Sequence, residues 1–369
     1  MKIESISIFR VSMPLVAPFE TSFGRSIDRE CLVIMLHAEG LTGYGECVAD
    51  LDPGYSYETT GTAWHITKDF IAPNILGQDV ADAADFQRRV EHIRGHNLAK
   101  AGVEMAVWDM LGKREGKSLR DLFGGQRDRV PVGVSVGLQS SPDVLVKTVE
   151  TYLNDGYGRI KIKIKPGRDV DDATAVRKAF PKTKLQVDAN SAYTLENFQR
   201  LKPLDQLDLL LIEQPLNEDD IWDHAKMQAE FNTPICLDES IVSPRHARYA
   251  IEMKSCRVIN IKAGRVGGLS QALLIHDLCQ AHGLSVWCGG MLETGIGRAS
   301  NLALATLPNF VLPGDISASD RYYKQDITEE RFRLNSDSTI AVPDGPGLGI
   351  HVDEDALKRY TLAEMTICA

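Results

Sequence analysis

The sequence of 369 residues lacks the features of a membrane protein or a nucleic-acid-binding protein. No apolar run reaches the roughly 20 residues that a transmembrane helix needs. The first residues, MKIESISIFRVSMPL, carry charges and alternation where a signal peptide would have an apolar core. Positive charge is in deficit, with 41 Lys and Arg against 51 Asp and Glu and a net charge of −10. We therefore expect neither a membrane nor a nucleic acid as a partner, because both are bound through basic patches.

Cysteine usage argues against a disulfide framework. The seven cysteines are odd in number, and no CxxC motif occurs. We expect them to be small core residues of a protein that works in the reducing cytoplasm. Low-complexity tracts and long flexible linkers are also absent, and the length is about right for two domains.

From about residue 130 onward, short apolar strands alternate with amphipathic helices such as DVLVKTVETYLNDG and SQALLIHDLCQAHG. Eight strands, each followed by a helix or a return segment, predict a (β/α)8-type, TIM-like barrel in an α/β protein. The alternative, an open doubly wound sheet, usually carries a Gly-rich turn after its first strand, and none is present here. The eight strand candidates are VPVGVSV, RIKIKI, KLQVDAN, LLLIEQP, PICLDES, CRVINIK, LSVWCGG and FVLPGDIS.

One charged side chain closes each of the five middle strands. Successive members of this set are 25, 25, 25 and 24 residues apart, and they are Lys163, Asp188, Glu213, Asp238 and Lys262. In a barrel of this type the C-terminal strand ends converge on one mouth, where active sites are found. A buried strand such as LLLIEQP rarely ends in an unpaired glutamate. The spacing therefore predicts a cluster of carboxylates and lysines at that mouth.

The stretch RIKIKIK places isoleucines and lysines on opposite faces of one strand. We expect the isoleucines to face the surrounding helices. Lys161 and Lys163 then face the barrel interior, close to the carboxylates of the next strands. Lys165, at the strand end, is expected near solvent.

The three acids Asp188, Glu213 and Asp238 offer hard oxygen ligands on three rigid strands. Such a set suits Mg²⁺, with Mn²⁺ as a possible substitute. Zinc is less suitable, because none of the nine histidines ends a barrel strand. We therefore expect a Mg²⁺ site that binds a small-molecule carboxylate substrate.

Lys163 and Lys262 are expected to approach the metal from opposite sides, with the substrate's α-carbon between them. Burial and neighbouring cations should lower the lysine pKa values, so that one neutral amine removes the α-proton. The resulting enediolate is stabilised by the metal, and the other lysine returns a proton or a β-leaving group departs. A non-catalytic binding protein on the same scaffold is the alternative from another class. It is disfavoured because all five positions hold chemically competent residues.

These motifs resemble the muconate-lactonizing subgroup of the enolase superfamily over essentially the full length. The resemblance lies in Lys161-Ile162-Lys163, in the acids of QVDAN, IEQP and LDES, and in the lysine of NIKAGRVGG. It implies an α+β N-terminal capping domain over residues 1–125 and a catalytic barrel over 126–325. It also implies a C-terminal segment, 326–369, that returns to the capping domain, and association into a homo-oligomer.

Within that subgroup, VWCGGMLETGIGRASNLALATLPNF and LPGDISASDRYY resemble the o-succinylbenzoate synthase / N-succinylamino acid racemase family. Such enzymes dehydrate a cyclohexadiene carboxylate in menaquinone biosynthesis, racemize N-acylated amino acids, or do both. The resemblance implies that Lys163 is the base for dehydration, with Lys262 as a stabilising cation. In racemization both lysines exchange the α-proton, and Lys161 sits beside the metal-bound carboxylate.

The capping region is expected to enclose the substrate through the loops VAPFETSFGRS and VADLDPGYSYETT. A further set of residues is predicted to line the pocket or to support the site from beside the ligands. These residues are Phe19, Phe23, Tyr55, Ser135, Gly290, Met291, Glu293, Asn190, Glu239 and Arg265, the last as a residue that tunes Lys262 or as a surface arginine.

Two other activities of the subgroup stay open at this point, dipeptide epimerase and muconate cycloisomerase. A dipeptide epimerase is expected to bind its substrate's free amino group with acids after the eighth strand. Asp315 and Asp320 follow that strand, so the sequence does not rule this activity out.

Overall fold

The computed structural model describes all 369 residues. Near the N-terminus three antiparallel strands form a meander, β1 (Ile3–Glu20), β2 (Arg25–Ala38) and β3 (Leu41–Cys47). The first half of β1 packs its isoleucines in one hydrophobic core, while Val11 and Met13 reach a second core that includes the barrel strands. One strand therefore contributes to the packing of both halves of the molecule.

Helices pack against this meander. They are α1 (Thr60–Ile66), α2 (Ala72–Ile75), α3 (Ala83–Val90), α4 (Asn97–Glu115) and α5 (Leu119–Phe123), with a π-helical turn over Thr67–Ile71. The contact between α4 and β3 requires glycine, because a Cβ on Gly45 would overlap the carbonyl oxygen of Gly102. Helix α4 ends at Gly116, whose φ of 64° is the left-handed conformation typical of a helix C-cap.

Seven parallel strands form the barrel sheet, and they lie side by side in the same order as in the chain. Isoleucines at 160, 162 and 164 are buried in one hydrophobic cluster with the helix residues Leu145 and Val176, whereas Lys161 and Lys163 pair with carboxylates of the next strands, as the alternation predicts. After the short strand β4 (Arg129–Pro131), the barrel strands are β5 (Val134–Val136), β6 (Arg159–Lys163), β7 (Lys184–Asp188), β8 (Ile212–Glu213), β9 (Ile235–Leu237), β10 (Val258–Ile261) and β11 (Ser285–Cys288).

Helices connect the strands and surround them. They are α6 (Pro142–Asn154), α7 (Val170–Ala179), α8 (Trp222–Glu230), α9 (Pro244–Met253), α10 (Ala263–Val266), α11 (Leu269–Ala281) and α12 (Gly295–Leu304), with 3-10 helices at Phe198–Gln206 and Ser319–Arg321. Ser141 and Ser243 cap α6 and α9 and are each followed by Pro at the first helical position. The two helices predicted from their amphipathic pattern are confirmed to within two residues.

The predicted eighth strand, FVLPGDIS, is wrong as a regular strand. This segment closes the barrel through only two isolated parallel bridges, from Phe310 to Val286 and from Gly314 to Val132. Pro313 lies between them and has no N–H to donate to a ladder, which explains why the pairing is interrupted. The barrel is therefore seven strands and an extended closing segment.

The C-terminal part returns across the molecule. Strand β12 (Thr339–Ala341) pairs with β4, and after α13 (Glu354–Tyr360) the last strand, β13 (Thr361–Cys368), pairs antiparallel with β1. The N-terminal sheet thus has the order β13-β1-β2-β3. The domain boundaries predicted between residues 125 and 126 and between residues 325 and 326 remain predictions.

None of the helices combines the length and apolar character that crossing a membrane requires.

Candidate active site

The five regularly spaced residues lie together at one end of the barrel sheet. Lys163, Asp188 and Glu213 are the last residues of β6, β7 and β8, and each is the register partner of the next. Asp238 and Lys262 directly follow β9 and β10. All five side chains are at most 8% exposed. Parallel pairing in register therefore turns a spacing of about 25 residues into a row of neighbouring charges.

The lysines on β6 hold one side of this row. The Lys163 Nζ donates to Asp188 Oδ2 and to Asn190 Oδ1, at 2.6 Å each. The Lys161 Nζ lies between two carboxylates, 3.0 Å from Asp188 Oδ2 and 3.0 Å from Glu213 Oε2. The two lysines thus share Asp188. Pairing with carboxylates explains how this strand can bury two positively charged side chains on one face.

Lys262 holds the opposite side, with three strands between it and the strand of Lys163. Its Nζ donates to Asp238 Oδ2 at 2.7 Å and to the Tyr55 hydroxyl at 3.0 Å. Arg265 is buried rather than on the surface, and its guanidinium pairs with the other oxygen of Asp238. The same arginine donates to the carbonyl oxygens of Ile241 and Asn260, so its position is fixed by backbone.

A second buried ion cluster adjoins Lys161, and two of its members, Arg159 and Trp287, were not predicted as site residues from the sequence. Asp315 Oδ2 is 2.5 Å from Lys161 Nζ, and Oδ1 is 2.7 Å from an Arg159 nitrogen in an ion pair without hydrogen-bond alignment. The Trp287 ring lies 5.5 Å from the Arg159 guanidinium and 5.0 Å from Lys161 Nζ. The alternation that places Lys161 and Lys163 inside the barrel also places Arg159 inside, so this signal was available.

The expectation of a lowered lysine pKa is wrong for Lys262 in this structure. Burial alone would lower the pKa of Lys262, but Tyr55 and the Glu239 and Glu213 carboxylates outweigh it and raise that pKa above its ordinary value. The pKa of Lys161 is likewise raised, since Asp315 and Glu213 outweigh its burial. The neighbouring carboxylates therefore favour the charged ammonium form of Lys161 and Lys262.

The carboxylates themselves are crowded. Burial, and then the nearby charge of Asp188, raise the pKa of Glu213 to about 7. Asp188 is also buried, but Lys163 and Lys161 lower its pKa below the ordinary value. Buried carboxylates this close together favour the binding of a further cation.

The acid set fits a hard divalent cation by its chemistry. All the donors are carboxylate oxygens, and the Glu239 Oε2 atom is buried with no hydrogen-bond partner. No three of the acids converge directly on one point, because the lysine ammonium groups bridge them. Asp188, Glu213 and Asp238 are the residues that would hold such a cation.

A cavity of about 320 Å³ opens above the lysines. Ser135 lines it with a buried hydroxyl that has no hydrogen-bond partner. The cavity contacts both halves of the molecule, and its lining includes the predicted pocket residues Phe19, Phe23, Tyr55, Ser135, Asn190, Gly290 and Met291 together with Lys161, Lys163, Lys262 and Asp315.

Other predicted site residues lie beside the cavity rather than in its wall. Glu239 accepts a hydrogen bond from the Asn190 amide at 2.8 Å, which links it to Lys163. Glu293 turns toward α12, where its carboxylate accepts from the Asn301 amide at 2.9 Å. Asn190 has a φ of 42°, an uncommon left-handed backbone conformation for a residue other than glycine.

Two capping segments cover the cavity. The predicted loop VAPFETSFGRS is mostly strand, because Phe19 pairs with Ser26 and Glu20 with Arg25 at the tip of the β1–β2 hairpin. Its Ser22 hydroxyl donates to the Asn190 carbonyl at 3.1 Å. The loop after β3 brings Tyr55 within 6.5 Å of the Phe23 ring, measured between ring centroids. We call these two segments, 19–27 and 48–59, the lid.

Comparisons with protein families match both halves of the chain. Residues 3–124 match the family described as mandelate racemase / muconate lactonizing enzyme, N-terminal domain. Residues 144–356 match the family described as enolase C-terminal domain-like. A solved structure of an enolase superfamily member from Listeria innocua superposes with a TM-score of 0.96 at 43% identity, covering 100% of this chain and 99% of that one.

Two relatives are equally similar to this chain but have different names. The o-succinylbenzoate synthase of Bacillus subtilis is 48% identical over 361 residues, covering 98% of this chain and 97% of the relative. The N-succinylamino acid racemase of an Amycolatopsis species is 48% identical over 368 residues, covering 100% of both. The family expected from the motifs is thus confirmed, and the chain is an enzyme that belongs to the enolase superfamily, with o-succinylbenzoate synthases and N-succinylamino acid racemases as its relatives.

Proposed function

We propose that the enzyme removes the α-proton of a carboxylate substrate and acts as an o-succinylbenzoate synthase, an N-succinylamino acid racemase, or both. The observation that carries this proposal is the placement of Lys163 and Lys262 on either side of three buried acids, below a cavity of about 320 Å³. Two amines on opposite sides of one position suit proton transfer to and from both faces of a carbon.

The residues of the chain have separate roles in this proposal. Lys163, as a neutral amine, accepts the α-proton, and the negative charge moves onto the substrate carboxylate as an enediolate. In dehydration Lys262 offsets that charge while the β-hydroxyl leaves as water with a proton from the Lys163 ammonium group; in racemization Lys262 donates a proton to the opposite face. Asp188, Glu213 and Asp238 would hold Mg²⁺, or Mn²⁺ in its place, which supplies positive charge where the enediolate charge develops. Lys161, held by Asp315, adds fixed positive charge next to those acids.

The lid and the barrel wall support a small substrate with an apolar part and a polar tail. Phe19 and Phe23 offer apolar surface, and the unpaired Ser135 hydroxyl offers a hydrogen bond on the barrel side. An N-succinyl amino acid and a succinyl-bearing cyclohexadiene carboxylate both have such parts. We further propose that the protein acts in the cytoplasm, with its cysteines as free thiols, and associates into a homo-oligomer.

The dipeptide epimerase alternative is disfavoured by the two acids that prompted it. Asp315 is engaged by Arg159 and Lys161 and is only 7% exposed. Asp320 is exposed and lines a different surface cavity. Neither carboxylate is free to bind a substrate ammonium group in the active-site cavity, so an acylated amino group fits better than a free one.

Activity assays of the purified enzyme test the proposal. We expect dehydration of the cyclohexadiene carboxylate, racemization of N-succinyl amino acids, or both. Activity should be lost with EDTA and restored by Mg²⁺ or Mn²⁺. A panel of dipeptides and muconate serves as the comparison. Turnover of dipeptides or muconate in preference to succinylated substrates would contradict the proposal, as would activity that is indifferent to chelation.

A further inference from the structure

Tyr55 joins the lid to the row of charges below it. Its hydroxyl accepts a hydrogen bond from Lys262 Nζ at 3.0 Å and donates to Asp238 Oδ1 at 3.0 Å. An Arg265 nitrogen also donates to it, at 3.3 Å. The ring lies flat against the lysine, with Nζ 4.4 Å from the ring centroid. Every hydrogen-bonding position of this hydroxyl is therefore used within the active site.

The two lysines differ in what holds them. The partners of Lys163, Asp188 and Asn190, both belong to the barrel. Lys262 has one partner on the barrel, Asp238, and one on the lid, Tyr55. Lys262 is thus hydrogen-bonded directly to the lid, whereas the lid reaches Lys163 only indirectly, through the Ser22 hydroxyl on the Asn190 carbonyl.

The hydrogen bonds of Lys262 also set the direction in which it can act as a base. A neutral amine has two N–H groups and one lone pair. When the N–H groups point to Asp238 and Tyr55, the lone pair takes the remaining tetrahedral position. Because Lys262 lines the cavity, that position is the one available to a substrate proton. Without the Tyr55 hydroxyl the amine is free to rotate about its last bond.

We propose, on the basis of the proposed function, that Tyr55 is a positioning residue for Lys262 rather than for Lys163, and because its hydroxyl also contacts Asp238, the test is made at saturating Mg²⁺. It couples closure of the lid to one of the two bases. The two enantiomers of a racemase substrate present their α-protons to opposite lysines. Tyr55 therefore controls proton removal from one enantiomer and leaves removal from the other to Lys163.

The test measures α-proton exchange in D₂O by proton NMR, separately for the L and D forms of N-succinylphenylalanine, with Mg²⁺ present. Lys163→Ala and Lys262→Ala first identify which enantiomer depends on which lysine. Tyr55→Phe then removes only the hydroxyl. Tyr57→Phe is the matched control, because Tyr57 belongs to the same loop and is 64% exposed.

In Tyr55→Phe we expect exchange of the Lys262-dependent enantiomer to slow by about 10- to 100-fold, a typical cost of misplacing a reacting group. Exchange of the Lys163-dependent enantiomer should change by less than about 2-fold, as should both rates in Tyr57→Phe. Equal slowing of both enantiomers would indicate a general role of the lid and overturn the inference, and so would unchanged rates. Wild-type enzyme that exchanges neither enantiomer would overturn the proposed racemase function and this inference with it.

Discussion

At the residue scale, the site depends on a close balance of buried charge. Five cationic side chains, Arg159, Lys161, Lys163, Lys262 and Arg265, face five carboxylates, Asp188, Glu213, Asp238, Glu239 and Asp315. Each is at most 8% exposed. Removing one member of such a set leaves its partner buried and uncompensated, which costs far more than losing a surface ion pair.

Asp315→Asn should therefore be strongly destabilising. The variant leaves Arg159 without an anion and removes one of the three carboxylates around Lys161, and we expect the free energy of unfolding to fall by roughly 3–5 kcal/mol. Because Lys161 would also lose its anchor beside the metal acids, kcat should fall with it. Urea unfolding followed by circular dichroism measures the first effect. Asp320→Asn, which changes an exposed acid five residues away, is the control. A loss below about 1 kcal/mol in Asp315→Asn would contradict this description.

Ser135→Ala should act on binding rather than on chemistry. The buried Ser135 hydroxyl has no partner within the protein, so we expect it to donate to the substrate. Losing one hydrogen bond of this kind should raise KM by roughly 2- to 10-fold with little change in kcat. Steady-state kinetics with N-succinylphenylalanine provide the measurement. An unchanged KM would show that the substrate does not use this hydroxyl.

At the element scale, the packing of α4 on β3 fixes how the capping region is built. Gly45 lies against the backbone of Gly102, with no room for a side chain. Gly45→Ala should therefore destabilise the fold by about 2 kcal/mol or more. Gly61→Ala, in the exposed first turn of α1, should have the opposite sign and stabilise by about 0.5–1 kcal/mol. Thermal unfolding of both variants decides the matter, and two shifts of the same sign would be inconsistent with this packing.

Local sequence patterns predicted the elements well where the pattern itself decides the structure. The alternation of Ile and Lys predicted β6, and amphipathic spacing predicted α6 and α11. The prediction of an eighth strand failed because an apolar run that contains Pro313 resembles a strand but cannot complete a ladder of backbone hydrogen bonds. The lid hairpin was missed because its pairing extends a strand that begins at Ile3, well before the aromatic residues that suggested a loop.

The site was predictable to a similar degree and for a similar reason. Equal spacing on consecutive parallel strands indicated Lys163, Asp188 and Glu213 as neighbours, since register follows from the fold class. The contact between Tyr55 and Lys262 joins residues 207 positions apart and depends on how the lid docks. No local pattern determines such a docking geometry, so the hydroxyl's role could not be derived from the sequence.

At the scale of the whole molecule, buried glutamates join the capping region to the barrel. Glu46 on β3 accepts hydrogen bonds from the backbone of Thr294 and Gly297, at the start of α12. Glu104 on α4 accepts from the Ser270 backbone on α11 and from the Gln87 amide. These contacts join β3 and α4 of the capping region to α12 and α11 of the barrel, and we call them the joint between the two halves.

The joint should make stability depend on pH. Burial raises the pKa of Glu104 from 4.5 to about 7, and no basic side chain pairs with it. Between those values the folded protein keeps a proton that the unfolded chain has released. The contribution of Glu104 to stability is therefore full below about pH 4.5 and is lost as the pH rises through 7. We expect the free energy of unfolding of Glu104→Gln, relative to wild type, to increase across that window. A difference that does not vary with pH would contradict this.

Proton exchange in D₂O with N-succinyl-L-phenylalanine and Mg²⁺, compared between wild type and Lys163→Ala, tests the proposed two-lysine chemistry in a single experiment. We expect the wild-type enzyme to remove the α-proton signal while the D enantiomer appears. In Lys163→Ala, formation of the D enantiomer should cease, while Mg²⁺ binding measured by calorimetry is retained. Near-normal racemization in Lys163→Ala would show that Lys163 is not a base and would rule out the proposed two-lysine mechanism.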